Sequence, residues 1–400
     1  MSTRKTSFVI QQIFAGLAFG SALFAAVPVW CSYVKKHDVQ KGVPFRKKLV
    51  SAYGLYRRVT GTRSCNGCVR LLKSDQLLMP HVKRMDMVRE ASKMAEFSAY
   101  CRTNGVRFIY VQLPKCLDVR KTMLPPGVRD FDYDNADDLL RHLASAGVET
   151  EDLRPTFAGA PEDVADNFYE SDLHWNNPAS LRAAQYLVKK TLKVDEGDAQ
   201  SVSRAVEMLD LVNWNQKVLQ RYFFGDLGTR TGRRFSDADD VTALWPKFDT
   251  DLTVTVPDRN IEASGEFLSV AVPAYANAMS GGSTKGRSFM PQYAGGGNRL
   301  VRLINRHAPL KRKILLLGDS YSCSLRTYLW TVVGEIVAVD PRHRNPPTDV
   351  ARLVLEERPE IVIQMHTPTA LTADARAGEK LGCPAAFEYG LRLSELSGSR

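Results

Sequence analysis

The fold turns on Lys313-Ile314-Leu315-Leu316-Leu317-Gly318-Asp319-Ser320-Tyr321-Ser322. The run from Lys313 to Leu317 has no polar alternation and reads as a short strand buried on both faces. A serine directly after such a strand, where a helix begins, lies among backbone N–H groups that lack intrahelical partners. Those donors can hold an oxyanion, so one turn can supply a nucleophile and part of its anion site. Gly318 is read as leaving room for substrate, and Asp319 as stiffening the turn. Serine is also an ordinary helix N-cap, and the turn by itself leaves both uses open.

Working outward, the chain after Ser320 can be helical through Trp330. Glu335 to Val339 reads as a strand, Thr348 to Glu357 as a helix, and Glu360 to Gln364 as a further apolar strand. Upstream, a helix is expected from Met87 to Arg102 and a buried strand from Val106 to Leu113. A helix from Ala136 to Ala146 with Gly147 at its C-cap, a strand from Val148 to Leu153 and a helix from Ala179 to Leu192 follow. This alternation predicts an α/β fold with a mainly parallel sheet covered on both faces. From about residue 200 to 298 the rhythm breaks. That stretch ends in Ser280-Gly281-Gly282-Ser283 and Gly295-Gly296-Gly297, and reads as an insertion, not a second core.

A second constellation is Tyr169-Glu170-Ser171-Asp172-Leu173-His174-Trp175-Asn176. In an extended segment, residues two apart project to the same side. Asp172 can then accept from one nitrogen of His174, leaving the other free to take a serine proton. Trp175 reads as packing under the loop or lining a cleft. Taken singly, the stretch also fits a surface aspartate, a partly buried histidine and a core tryptophan. Together the two stretches hold every protein group that a Ser–His–Asp mechanism needs: Ser320 as nucleophile, His174 as base and Asp172 to orient it.

The D-x-H-W stretch upstream of a strand–G-[DT]-S-[YF]-S turn resembles the alginate O-acetyltransferase proteins of the AlgX/AlgJ type. Val111-Gln112-Leu113-Pro114-Lys115 with Met123-Leu124-Pro125-Pro126, the segment Gly147 to Pro155, and Pro359 to Gln364 are similar to further pieces of that family. The resemblance spans roughly residues 90 to 370 and matches the insertion poorly. It implies an SGNH-hydrolase-like fold whose triad order is circularly permuted, with Asp and His before Ser. It also implies an enzyme that acetylates hydroxyls of an extracytoplasmic polysaccharide. The acetyl donor would be relayed by a membrane-bound O-acyltransferase, without a cofactor. Tyr321 would help shape the anion site, Trp175 is a further candidate there, and Arg342 or Arg344 would contact substrate. No G-x-N-D block is found, so other oxyanion donors stay unassigned, and too little chain follows the last strand for a carbohydrate-binding module. A carbohydrate acetylesterase and a non-catalytic polysaccharide-binding or assembly partner of the membrane acyltransferase are the alternatives.

Thr6 to Val34 carries no charge and is long enough, at about 1.5 Å per helical residue, to cross about 30 Å of hydrocarbon. Trp30 and Tyr33 suit the headgroup zone. An uncleaved anchor is preferred to a signal peptide, because Leu23 and Phe24 fit the upstream cleavage positions badly. The chain thus divides into an anchor (or signal peptide) over 1–36, a juxtamembrane segment over 37–88 and an SGNH-like domain over 89–395. Basic residues after the span favour a cytoplasmic domain by the positive-inside rule. The resemblance implies the opposite side: a single-pass inner-membrane protein with its catalytic domain outside the cytoplasm. The net charge of +10, from 54 basic and 44 acidic residues, is scattered and forms no nucleic-acid module. Cys65-Asn66-Gly67-Cys68 is a lone C-x-x-C without two more zinc ligands or a thioredoxin-like context, so no metal is assigned. With Cys31 in the span, the other six cysteines leave fifteen possible disulfide pairings open.

Overall fold

The computed structural model describes residues 46–371 apart from 72–74, 117–123, 125, 158–165, 193–198, 283–288, 290–291 and 343–347, and also Tyr389. The N-terminal apolar run and Arg344 lie outside the described residues. Among those described, no helix is long and apolar enough to cross a membrane.

Eight strands form the central sheet: β1 (Arg107–Gln112), β2 (Thr150–Asp152), β3 (Leu252–Val256), β4 (Ile261–Gly265), β5 (Leu300–Asn305), β6 (Leu310–Gly318), β7 (Val333–Val339) and β8 (Ile361–His366). Their spatial order is β2-β1-β8-β6-β7-β5-β3-β4. The first five run parallel, and the last three attach antiparallel. The expected parallel sheet is therefore its central part, extended by a reversed edge. β3 and β4 are joined by Pro257–Asn260, with Asn260 in the left-handed region at φ 51°, and so short a link can only reverse the chain. Both of these edge strands come from the stretch read as an insertion.

Successive residues of the inner strands feed different cores, as the period of two requires. Ile314 and Leu316 of β6, Ile109 and Val111 of β1, and Ile361 and Ile363 of β8 pack into one core. Leu315 and Leu317, Phe108 and Tyr110, and Val362 pack into the other. The second core is closed by α1 (Val88–Thr103), α2 (Asp132–Ser145) and, later in the chain, the helix Val350–Glu357. The first is closed by α3 (Asn177–Thr191) and α4 (Ser322–Leu329), the helices that follow the two candidate stretches. α3 starts where it does because the Asn176 side chain accepts from the Ala179 N–H at 3.0 Å and Pro178 sits in the first turn. A hairpin from the 200–298 stretch, Trp214–Phe223 with Asp239–Pro246, buries Trp214, Phe223, Val241 and Ala243 in this same core.

The C-x-x-C is the frame of another hairpin. Cys65 and Cys68 face each other across it, and Asn66 and Gly67 both have positive φ, 48° and 79°, as a two-residue type I′ turn demands. Cys65, Cys68, Cys101, Cys116 and Cys323 are all buried as thiols, and no disulfide joins the described cysteines.

Candidate active site

Ser320 lies just past the C-terminal end of β6 and two residues before α4, and is partly open to solvent. Its turn is tied to the neighbouring strand. Asp319 accepts from the Tyr321 N–H at 3.0 Å with one carboxylate oxygen. With the other it accepts from the N–H and hydroxyl of Thr367, each at 2.9 Å, immediately beyond β8. The Ser320 backbone N–H has no acceptor among the described residues. Gly318, read from the sequence as leaving room for substrate, instead faces inward. A Cβ there would come 2.8 Å from the Ser322 Cβ and 3.1 Å from the Met365 Cγ.

The second stretch is a tight loop, not an extended segment. An isolated bridge between Phe168 and Trp175 closes it, and the Tyr169 N–H donates to the His174 carbonyl at 3.2 Å. Within it one Asp172 oxygen accepts from both the backbone N–H of His174, at 3.0 Å, and its Nδ1. This is the local turn that aspartate forms with the residue two ahead. The other Asp172 oxygen accepts from the Asp226 N–H at 2.7 Å. Burial works to raise the Asp172 pKa, but the His174 charge and these hydrogen bonds outweigh it and hold the carboxyl below its usual range.

The two stretches meet. His174 Nε2 lies 2.7 Å from Ser320 Oγ, although 146 residues separate them. Packing of α3 on α4 brings them together. The Trp175 Nε1–H donates to the Ser324 hydroxyl at 2.9 Å, and Ser180 Oγ is 2.8 Å from the same oxygen. Trp175 is wholly buried, so it braces the two helix starts and does not line a cleft. Tyr321 is likewise buried, with its hydroxyl donating to the Leu173 carbonyl and its ring 4.8 Å from His174. It thus holds the histidine loop against the serine turn. Arg342 follows β7 at the same sheet edge, where its guanidinium holds Asp340 at 2.7 and 2.8 Å and makes no hydrogen bond to the triad residues.

Several residues around the site carried no local signal in the sequence. The Phe289 ring stacks on the His174 ring, with centroids 3.8 Å apart and planes 6° from parallel. Gly225 lets the chain before Asp226 approach Asp172, since a Cβ there would lie 2.3 Å from the Asp172 Cβ. Asp239 receives the hydroxyl of Ser171. All of these come from the 200–298 stretch except Ser171, which neighbours the aspartate. Away from the site, Asp86, Asp138 and His142 bring ligand atoms together, but Asp138 already pairs with Arg141 and accepts from the Met87 N–H at 3.1 Å.

Residues 71–218 match a family model described as the SGNH hydrolase-like domain of the acetyltransferase AlgX. The resemblance to the AlgX type holds. The matched AlgX-type segment contains Asp172 and His174 and ends before Ser320. No curated protein matches the chain significantly in sequence. Among solved structures, Bacillus cereus PatB1 carrying a sulfonyl adduct superposes with a TM-score of 0.61 at 14% identity, over 82% of this chain and 100% of PatB1. A DHHW family protein from Eubacterium siraeum gives 0.55 at 17% identity, over 77% and 92%. The O-acetyltransferase domain of Pseudomonas putida AlgJ gives 0.41 at 14%, over 78% and 95%. At these identities the first two likenesses speak for the fold, which is the SGNH-like α/β arrangement.

Proposed function

We propose that this chain is a serine O-acyltransferase that moves acetyl groups onto hydroxyls of an extracytoplasmic polysaccharide. The observation that carries this reading is the hydrogen-bonded line Asp172–His174–Ser320, with 2.7 Å between imidazole and hydroxyl. The match to an AlgX acetyltransferase domain supports acetyl as the group and a polysaccharide as the acceptor class.

In the first step His174 Nε2 takes the Ser320 proton as Oγ attacks the acetyl carbonyl of the donor. Asp172, kept ionised by its hydrogen bonds, steadies the imidazolium. The Ser320 N–H, which has no acceptor among the described residues, would receive the oxyanion, and one such donor is worth about a hundredfold to a thousandfold in rate. Collapse expels the donor's leaving group, which takes the proton from His174, and acetyl-Ser320 remains. A sugar hydroxyl then attacks this ester while His174 takes its proton, and collapse returns that proton to Ser320. Phe289 covers one face of the imidazole with apolar surface. A membrane-bound O-acyltransferase as the source of acetyl, and an anchor in Thr6 to Val34 holding the domain outside the cytoplasm, complete the proposal.

The test uses the full chain purified in detergent. PatB1 is known with a sulfonyl adduct, so an aryl sulfonyl fluoride is the first probe. Mass spectrometry should find one adduct on the Ser320 peptide, and p-nitrophenyl acetate should release p-nitrophenol. Ser320→Ala should lose both while keeping its circular dichroism spectrum. Equal p-nitrophenol release by the folded variant would remove Ser320 from the chemistry. Mass spectrometry of candidate glycans after incubation with the acetylated enzyme then separates sugar from water as the acceptor.

A further inference from the structure

The loop that carries Asp172 has no regular secondary structure, so something else must hold it. Ser171, beside Asp172, is fully buried and engages at every polar atom. Its N–H donates to Asp239 at 3.1 Å, and its hydroxyl donates to the same Asp239 oxygen. That hydroxyl oxygen in turn accepts from the Gly225 N–H at 2.8 Å, and the Ser171 carbonyl accepts from the Gly228 N–H at 2.7 Å. The next N–H after Gly225, that of Asp226, is the one that donates to Asp172 at 2.7 Å. Asp239 also accepts from the Glu170 N–H at 2.5 Å, fixing the loop one residue further back.

Both ends of this network arrive on one hairpin. Phe223 and Asp239 are paired across it, so Gly225 leaves one strand where Asp239 enters the other. Asp239 is buried, and three donors offset the cost of burying its carboxyl group. Its partners here are the backbone and hydroxyl that set the Asp172 environment.

We propose that Asp239 is a positioning residue of the acyl-transfer site, acting through the Ser171 hydroxyl to keep the Asp226 N–H on Asp172. The proposal rests on the Ser320 reading above. Without Asp239, the Ser171 hydroxyl turns away, Gly225 and Asp226 drift, and Asp172 loses the bond that balances its pull on His174.

The experiment is a double-variant cycle in the full chain, read as the rate of sulfonyl labelling at Ser320, with p-nitrophenyl acetate kinetics beside it. Asp239→Asn keeps the volume, and Ser171→Ala gives an independent route to the same lesion. Each should slow labelling and lower kcat by about tenfold to a hundredfold, the scale of losing one charge-assisted hydrogen bond, with KM unchanged. In an Asp172→Asn background, Asp239→Asn should cost less than about twofold more, because the group it positions is already gone. Equal losses in both backgrounds would show a merely structural role and overturn the proposal. So would an unchanged kcat in folded Ser171→Ala. If wild type labels at a residue other than Ser320, the underlying reading has failed instead, and the two failures are told apart by the site of the adduct.

Discussion

The serine turn and the histidine loop sit against each other but are built by different means. The turn is a strand end, a three-residue bend and a helix start, and its supports come from the adjoining strand through Asp319 and Thr367. The loop is irregular, and three separate segments fasten it: Gly225 with Asp226, Asp239, and Phe289. One neighbouring strand end steadies the nucleophile, whereas three separate segments hold the base. The base should therefore be the more fragile half.

The largest effect that follows is at Asp172. Asp172→Asn should slow Ser320 labelling by about ten-thousandfold, since an amide favours the wrong imidazole tautomer. A loss below about tenfold would break the claim that the loop works through this pair.

A matched pair of glycine variants compares the halves directly. Gly225→Ala brings a Cβ to 2.3 Å from the Asp172 Cβ and 2.6 Å from the Ser171 carbonyl oxygen, so the loop must shift. Labelling should fall roughly a hundredfold, as small misplacements of catalytic groups do. Gly318→Ala brings a Cβ to 2.8 Å from the Ser322 Cβ, so the helix start must shift slightly, and to 3.0 and 3.1 Å from the Ser322 Oγ and the Met365 Cγ, at a cost of about 1–3 kcal/mol. Its labelling rate should fall by no more than about tenfold. The reverse order, measured by mass spectrometry over time, would mean that the turn is the sensitive element.

Stability against pH separates two carboxyl groups, one on the loop and one that fastens it. Burial pushes Asp239 up to about 7 against its hydrogen bonds, so the fold favours its protonated form. That contribution is present in full below the unfolded value near 3.8 and is lost as pH rises through about 7. Asp172 is held below its usual range, so its contribution is present above about 3.8 and is lost as pH falls through its lowered value. Relative to wild type, Asp239→Asn should therefore gain stability between pH 4.5 and 8, by on the order of a few kcal/mol. Urea midpoints across that range would check it, and parallel curves would place the Asp239 carboxyl outside this window. The smallest effect is Trp175→Phe, which deletes the bond to Ser324 and should cost about 1 kcal/mol in the same measurement.

Much of the framework is legible in the residues alone. The inner strands are runs such as Ile314 to Leu317 and Ile361 to Ile363, whose burial on both faces leaves no polar alternation to confuse them. The serine turn followed from its place between such a strand and a helix. The spacing of Asp172 and His174 showed that they could pair, though by a turn and not by extension. Asn66-Gly67 was a hairpin signal obscured by the cysteines on either side. The roles of Asp239, Gly225 and Phe289 were not readable, because no local pattern distinguishes a glycine or aspartate that serves a loop far away in the chain.

Residue order thus determined which side chains carry the chemistry and which strands form the middle of the sheet, since hydrophobic runs and turn residues act over a few positions. Tertiary structure decided how the 200–298 stretch is used. Its hairpin shares the first core while its end segments reach the histidine loop, and those contacts join residues as much as 69 positions apart. Hydrogen bonds of that span exist only once packing has fixed both partners, so nothing in the local sequence can announce them.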